Sequence, residues 1–428
     1  MQIGRICRGS SAPLQSRPER RVLNSPASSR AGFGVPPRAR AALAYATFFF
    51  GVGAIVPYLP LYYRSLGFGL GEIGGILALG SFIGLVAAPM WGAASDRRRG
   101  SPLVLVATTA TALAGAAILA LAPDRLDRGV VVAGVAMLGA GMAGFNPILD
   151  ARALEAAGSE RAGYGPLRAW GSLAYIGSAL GTGALIEARG LGALFVVLAI
   201  ALTATAGIGL VLRPPSTRHV YVTVVRPMRA AGRLFGPNGL GLFLLGAFLT
   251  WLGMSAVLSF TPLRFEELGA GASIIGLGGA IAAAIEVPIM LRFPAIAARF
   301  GSERLLIAGA AFIGARSVTA ALATTPEILL SASIFGGIGF ALFYVGGVTY
   351  VSSRVPPELA ATAQGIFQGA GNSLGQVTAA LGGGVVAASM GIDGLFGVAA
   401  GLGIAATAII ALAVRSGLRR RPERSEGA

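Results

Sequence analysis

Long apolar runs, separated by short polar segments, make up most of this 428-residue chain. Each run has about 20 residues or more, which is the length that a helix needs to cross the hydrocarbon core of a bilayer. The pattern therefore predicts an all-α membrane protein with twelve transmembrane helices. The runs lie at 41–63, 70–94, 102–122, 130–157, 165–187, 191–213, 238–263, 272–297, 303–324, 326–353, 360–388 and 391–414.

Composition and charge agree with this pattern. The chain is 54% hydrophobic and 12% charged, whereas soluble domains carry about 25% charged residues. The net charge of +16 could indicate a nucleic-acid partner, but the arginines cluster before the first run, in alternate loops and after the last run. That distribution is the positive-inside pattern. We therefore expect no nucleic acid, cytoplasmic termini and a multi-pass protein of the cell inner (plasma) membrane.

An internal repeat divides the chain. The segment "LPLYYRSLGFGLGEIG" at 59–74 aligns with "TPLRFEELGAGASIIG" at 261–276, and such a parallel duplication places a binding site between the two copies near the bilayer midplane. The expected organisation is a disordered basic tail, a six-helix half, a cytoplasmic loop, a second six-helix half and a basic tail, at 1–37, 38–213, 214–237, 238–414 and 415–428. The first tail also has the Arg/Ser bias of an organellar transit peptide.

Four ionisable residues stand out within the apolar runs, where charge is costly and is normally functional or paired. Asp150 and Arg168 are equidistant from the loop that joins their helices, and so are Glu286 and Arg316. Each acid is therefore expected at the depth of an arginine on the next helix. The alternative is that both are structural ion pairs.

Glu286 is the best candidate for proton coupling. At 1.5 Å per residue it lies roughly 18 Å from its loop, near the midplane. Low dielectric disfavours the charged carboxylate, so this group could bind and release a proton near neutral pH, with Arg316 tuning it.

Uncharged polar residues form a second constellation. Gln364, Gln368, Asn372 and Gln376 recur every four residues and so share one helix face. Such amides need partners in a membrane; we expect a wet cavity, with helix packing as the alternative. Tyr175 and Trp251 could stack on a substrate ring or serve only in packing.

The sequence gives little support for an enzyme, a metal site or a cofactor site. Cys7 and His219 are the only residues of their types, and both fall outside the apolar runs, so we expect no metal site, no cofactor and no enzyme. The segment "GAGMAG" fits a dinucleotide-binding pattern, but it lies inside an apolar run without the strand, turn and helix which that motif requires.

The segment "PMWGAASDRRRG" (89–100) resembles the loop between the second and third helices of major facilitator superfamily transporters. The resemblance implies that its acid latches the two halves together on the cytoplasmic side. The matching residues are Gly92, Asp96, Arg97, Arg98 and Gly100.

Three further segments resemble the lactose permease and phenylpropionate permease-like branch: "YLPLYYRSLGF", "YGPLRAWGSLAYI" and "VPPELAATAQGIF". The resemblance implies that an acid, an arginine and an aromatic hold the substrate and that a further acid–arginine pair couples protons. The tenth helix, "FGGIGFALFYVGGVTY", lacks the His and Glu that serve coupling in that branch. By this resemblance Asp150, Arg168, Ser172 and Tyr175 bind substrate, and Glu286 and Arg316 couple.

The functional hypothesis is a monomeric secondary transporter that moves a small polar or aromatic solute, such as a glycoside, a nucleoside or an aryl acid, by proton symport and alternating access. Trp251, Gln368 and Asn372 are expected to complete the pocket. One alternative is an efflux antiporter for amphipathic compounds, and another is a membrane receptor that does not transport.

Overall fold

The computed structural model describes residues 36–98, 101–121, 128–157, 164–211, 240–355 and 357–418, and within these ranges every regular element is a helix. From residue 37 onwards the chain forms one compact unit. Its helices are α1 (Pro37–Ile55), α2 (Leu59–Ser65), α3 (Leu70–Arg97), α4 (Pro102–Ala120), α5 (Arg128–Ala143), α6 (Phe145–Ala157), α7 (Tyr164–Arg189), α8 (Ala193–Val211), α9 (Leu240–Glu267), α10 (Ala272–Phe300), α11 (Ser302–Ala321), α12 (Pro326–Arg354), α13 (Pro357–Ile366), a π-helical segment (Phe367–Leu374) and α14 (Gly375–Leu418).

Ten helical stretches among the described residues are long and apolar enough to cross a membrane. One joins α1 to α2, and another joins α5 to α6. Helix α7, with 26 residues, is more polar and is not one of the ten. The all-α membrane fold is thus confirmed, while the twelve-helix count and the cytoplasmic position of both termini stay predictions.

Helix α14 spans 44 residues but contains a sharp break. Gly391 has a φ of 77° and a ψ of 171°, outside the helical region. Glycine adopts positive φ without the steric cost that a Cβ brings. The break falls between the last two apolar runs, so α14 comprises two helical pieces.

The loops start helices through side-chain caps and prolines. Ser101 Oγ accepts a hydrogen bond from the Leu103 N–H (3.3 Å) at the start of α4, and Thr325 Oγ1 accepts one from the Ile328 N–H (3.5 Å) at the start of α12. Both helices begin with proline, which has no N–H to leave unsatisfied there.

Small residues bring the helices before the central segment 212–239 close to those after it. A Cβ on Gly74 of α3 would lie 2.5 Å from the Ala380 carbonyl oxygen and 2.6 Å from Gly384 Cα, both on α14. A Cβ on Gly183 of α7 would lie 2.7 Å from the carbonyl oxygen of Ala272, the first residue of α10. Backbone therefore meets backbone at two crossings between the two sets of helices.

The predicted domain boundaries are not tested by these contacts. Residues 1–35, 212–239 and 419–428 lie outside the described residues. They contain the whole expected central loop and most of both expected tails, whereas Pro37 and residues 415–418 lie in helices. The division into two six-helix halves stays a prediction.

Candidate functional site

A cavity of about 350 Å³ lies between six elements, α1, α7, α9, α10, α11 and α12. Such a volume is at the lower end of the range of small-molecule sites. Most of its wall is apolar. The lining residues are Phe49, Val52, Val56, Pro57, Ser172, Tyr175, Met254, Leu258, Thr261, Pro262, Phe265, Ile275, Gly278, Gly279, Ala282, Ala283, Glu286, Arg316, Ser333, Gly336, Gly337 and Phe340.

The cavity holds one carboxylate and one guanidinium. Glu286 comes from the middle of α10 and Arg316 from α11, and both line the wall together with Tyr175 and Ser172 of α7. Charged groups of both signs in a largely apolar cavity can act on a polar group of a ligand, because electrostatic interactions are stronger there than in water. This arrangement can orient a solute and can exchange a proton through the carboxylate.

Four residues expected from the sequence therefore share one cavity: Ser172, Tyr175, Glu286 and Arg316. They come from the substrate-binding and the proton-coupling sets alike. The structure thus brings residues from the two expected sets to the same cavity.

Other expected site residues lie elsewhere. Asp150 accepts a hydrogen bond from the Tyr45 hydroxyl of α1 and is not among the lining residues. The side chains of Arg168 and Asn372 are outside the described residues, so the expected contact between Asp150 and Arg168 stays a prediction.

Trp251 belongs to the packed interior of α9. It is 3% exposed, and its ring meets those of Phe340, Phe343 and Tyr344 at centroid distances of 6.0, 5.9 and 6.5 Å. Phe340 is the one of these that lines the cavity. Trp251 can therefore act on a ligand only through its neighbours in this conformation.

The amide stripe makes contacts with α12. The Gln368 side-chain amide donates to the Tyr344 hydroxyl at 3.0 Å, and the Gln364 amide donates to the Val348 carbonyl oxygen at 2.8 Å and to Ser352 Oγ at 2.9 Å. These bonds fix the π-helical segment and α13 to the neighbouring helix. Gln368 is not a lining residue of the cavity.

The loop motif after α3 is only partly described. Gly92 lies within α3, and Asp96, Arg97 and Arg98 are exposed at its end. Gly100 lies outside the described residues. The latch that the resemblance implies stays a prediction.

The sequence did not predict most of the residues that line the cavity. Thr261 and Ser333 are small polar residues within apolar runs, and their hydroxyls could have been noted for that reason. Phe49, Phe265 and Phe340 carry no such signal, because an aromatic residue in a membrane helix can face lipid, core or cavity with the same local pattern.

Hydrogen bonds cross between the two sets of helices at one end of the bundle, where α7 and α9 finish and α10 begins; we call this the ion-paired end. The Glu187 carboxylate of α7 accepts hydrogen bonds from the backbone N–H of Ser273 at 2.9 Å and from its hydroxyl at 2.7 Å. A carboxylate at a helix N-terminus satisfies donors that the helix leaves free. Glu187 thereby ties α7 to α10.

Ion pairs add to the same end. Arg64 of α2 lies 3.3 Å from Glu267, at the end of α9. Arg264 lies 3.3 Å from Glu267 and 2.8 Å from Asp393. Glu267 thus connects α2, before the central segment, to α9, and Arg264 connects α9 to α14.

No group of three or more His, Cys, Asp or Glu able to hold a metal ion occurs in the part of the chain that the structure describes.

The chain is similar to known transport proteins. The family model of the MFS_1 like family matches residues 39–398. A maltose permease of Geobacillus stearothermophilus is 30% identical over 275 residues, which are 62% of this chain and 66% of that protein, just under two thirds of its length.

Solved structures show the same fold at low identity. The crystal structure of nucleoside transporter NupG superposes with a TM-score of 0.73 at 16% identity and covers 89% of this chain and all of that one (100%). An auto-inhibited peptide transporter of the POT family superposes with a TM-score of 0.67 at 12% identity, covering 92% and 98% of the two chains.

Proposed function

This chain belongs to the MFS_1 like family, and from that premise we propose that it is a secondary transporter that moves a small polar or aromatic solute by alternating access. As a multi-pass membrane protein of a superfamily of transporters, it has the architecture that this mechanism uses. The observation that carries the proposal is the cavity in which Glu286, Arg316, Tyr175 and Ser172 meet. These residues combine a proton acceptor, a cation and two hydroxyls.

Glu286 is the proposed proton carrier. Its carboxylate lies in a mostly apolar wall beside the solute space, where protonation changes the charge that the solute meets. Arg316 lines the same cavity, and we propose that its positive charge tunes the proton carrier. Proton symport follows if the solute binds to the protonated form and both leave together.

Tyr175 and Ser172 are the proposed hydroxyl contacts to the solute. They stand on α7 and line the cavity together with residues of α10 and α12. Phe49, Phe265 and Phe340 supply ring faces to the same space, so a sugar ring, a nucleobase or an aryl group can be packed while its polar groups reach the charged residues. Asp150 and Arg168 are further proposed contacts to the solute, in conformations that bring their side chains to this cavity.

The apolar wall also favours a second function, efflux of amphipathic compounds in exchange for protons. Met254, Leu258 and the three phenylalanines offer more apolar than polar surface to a ligand. The two functions differ in the direction of net flux for the same imposed pH gradient.

The test is solute flux in proteoliposomes with an imposed pH gradient, over a panel of sugars, nucleosides, aryl acids and amphipathic cations. The wild type is expected to accumulate one solute against its gradient, while Glu286→Gln only equilibrates it and still exchanges it. Glu327→Gln is the matched control, because this carboxylate is exposed and lies outside the cavity.

Accumulation that ignores the pH gradient, or that survives in Glu286→Gln, would remove Glu286 from coupling. Proton-driven extrusion of an amphipathic cation would select the efflux function instead. If the wild type moves no member of the panel, the proposed transport of such solutes fails.

A further inference from the structure

Two pairs of adjacent glycines face the cavity, Gly278–Gly279 on α10 and Gly336–Gly337 on α12. A glycine inside a helix costs about 1 kcal/mol relative to alanine. The cost to helix stability therefore disfavours four glycines around one cavity, and another reason for their presence is needed.

Gly337 serves the packing of two helices. A Cβ on Gly337 would lie 2.5 Å from the carbonyl oxygen of Ala282, so its absence lets α12 approach the backbone of α10. A Cβ on Gly278 would lie 3.3 Å from Ser333 Oγ and 3.4 Å from the ring of Phe265. Close packing of helices by small residues accounts for Gly337, whereas the three atoms nearest to the Gly278 position all belong to side chains.

Gly336 and Gly279 each face a single polar residue of the cavity. A Cβ on Gly336 would lie 2.9 Å from Arg316 Cδ and 3.2 Å from Nε, and a Cβ on Gly279 would lie 3.2 Å from the Tyr175 hydroxyl oxygen. The three nearest atoms belong to Arg316 in the first case and to Tyr175 in the second. Neither position is close to the backbone of another helix.

We propose that Gly336 and Gly279 are specificity-determining positions, whose missing side chains define where the Arg316 guanidinium and the Tyr175 hydroxyl stand in the cavity. This inference rests on the proposed function for its consequence in transport. The far end of an arginine is flexible, so an alanine at 336 moves the guanidinium rather than the helices. A larger residue at either position therefore changes which polar groups of a solute are held.

The first test needs no solute. In a Cys7→Ser background, which removes the native cysteine, Ser172→Cys places a thiol on the cavity wall. The ratio of its labelling rates with an anionic and a cationic thiosulfonate reports the charge presented to the cavity. Gly336→Ala is expected to change this ratio about threefold, because Coulomb energy depends on the distance from the guanidinium.

The matched control is Gly346→Ala on the same helix. A Cβ there would lie 3.1 Å from Leu306 Cα and Cβ, away from the cavity. This variant is expected to lower the melting temperature without changing the labelling ratio. If it changes the ratio as Gly336→Ala does, or if Gly336→Ala folds and leaves the ratio unchanged, the proposal is wrong.

The second test uses transport of the solute found for the wild type. Gly336→Ala and Gly279→Ala are each expected to raise KM about tenfold, with kcat within about twofold, as one methyl group in a binding pocket can do. In an Arg316→Ala background, Gly336→Ala is expected to have no further effect, because its partner is gone.

Each remaining outcome of these experiments bears on the proposal about Gly336 and Gly279. Additive effects of Gly336→Ala and Arg316→Ala on KM, or failure of Gly336→Ala to fold, would show that the glycine serves packing and overturn the proposal at that position. The effect of Gly279→Ala on KM tests the assignment of Gly279 to Tyr175 separately. A wild type that transports nothing overturns the proposed function, while the labelling ratio still decides the role of Gly336.

Discussion

Gly391 holds a backbone conformation that residues with a Cβ avoid. At φ 77° and ψ 171°, an alanine would be strained by about 1–3 kcal/mol. We therefore expect Gly391→Ala to lower the unfolding free energy by that amount, measured by denaturant or thermal unfolding in detergent.

Gly397→Ala is the matched control for this strain. Both glycines are exposed on α14 and have open space around the position of a Cβ, but Gly397 has no positive φ. Alanine there should stabilise the helix by about 0.5–1 kcal/mol. Equal effects of the two substitutions would contradict the assignment of strain to Gly391.

Single charges in apolar runs gave the most informative residue predictions. Glu286 and Arg316 line the cavity, as residues of a site would. A charged side chain at membrane depth is costly unless it faces a cavity or a partner, so its position could be predicted. Tyr175 lines it too, but Trp251 is packed in the core. Sequence gives the depth of a side chain along its helix, whereas the direction in which it points depends on neighbours that sequence does not identify.

At the scale of elements, the π-helical segment is fixed to α12 by the bond from the Gln368 amide to the Tyr344 hydroxyl. Tyr344→Phe should cost about 0.6 kcal/mol, the average for such bonds between membrane helices. Combined with Gln368→Leu, the loss should be smaller than the sum of the two single losses, because they remove the same bond.

Transport kinetics separate this structural role from a role in binding. If Gln368 binds solute, as the sequence predicts, Gln368→Leu raises KM and Tyr344→Phe does not. If its function is the bond to α12, both variants change stability together and leave KM alone.

Helix positions were predictable from hydrophobic length, since each apolar run corresponds to helix in the structure. The interruptions were not. The stretch at 41–63 is split into α1 and α2, and the π-helical segment begins at Phe367. Hydrophobicity records burial in the membrane and contains no information on backbone hydrogen-bond register, which is why such irregularities escape it.

At the scale of the whole molecule, the ion-paired end joins the two sets of helices through polar contacts. By the positive-inside prediction this end faces away from the cytoplasm. Glu187→Gln removes the charge that accepts both bonds from Ser273. We expect several-fold faster labelling of Ser172→Cys, in the Cys7→Ser background, by an impermeant thiol reagent added from that side.

Glu72→Gln is the control for this experiment. Glu72 pairs with Arg128 at 2.6 Å, and both residues precede the central segment, so their pair does not cross between the two sets. Its removal should leave the labelling rate unchanged. Equal acceleration by both variants would mean that loss of surface charge, not release of a contact between the sets, opens the cavity.

The crossing of α3 and α14 has a consequence for comparing relatives. At Gly74 and Gly384 the two backbones touch with no room for a methyl group. A relative with larger residues at both sites cannot bring these two helices equally close without tilting one of them. These two positions therefore offer a way to recognise, from sequence alone, which relatives can share this crossing.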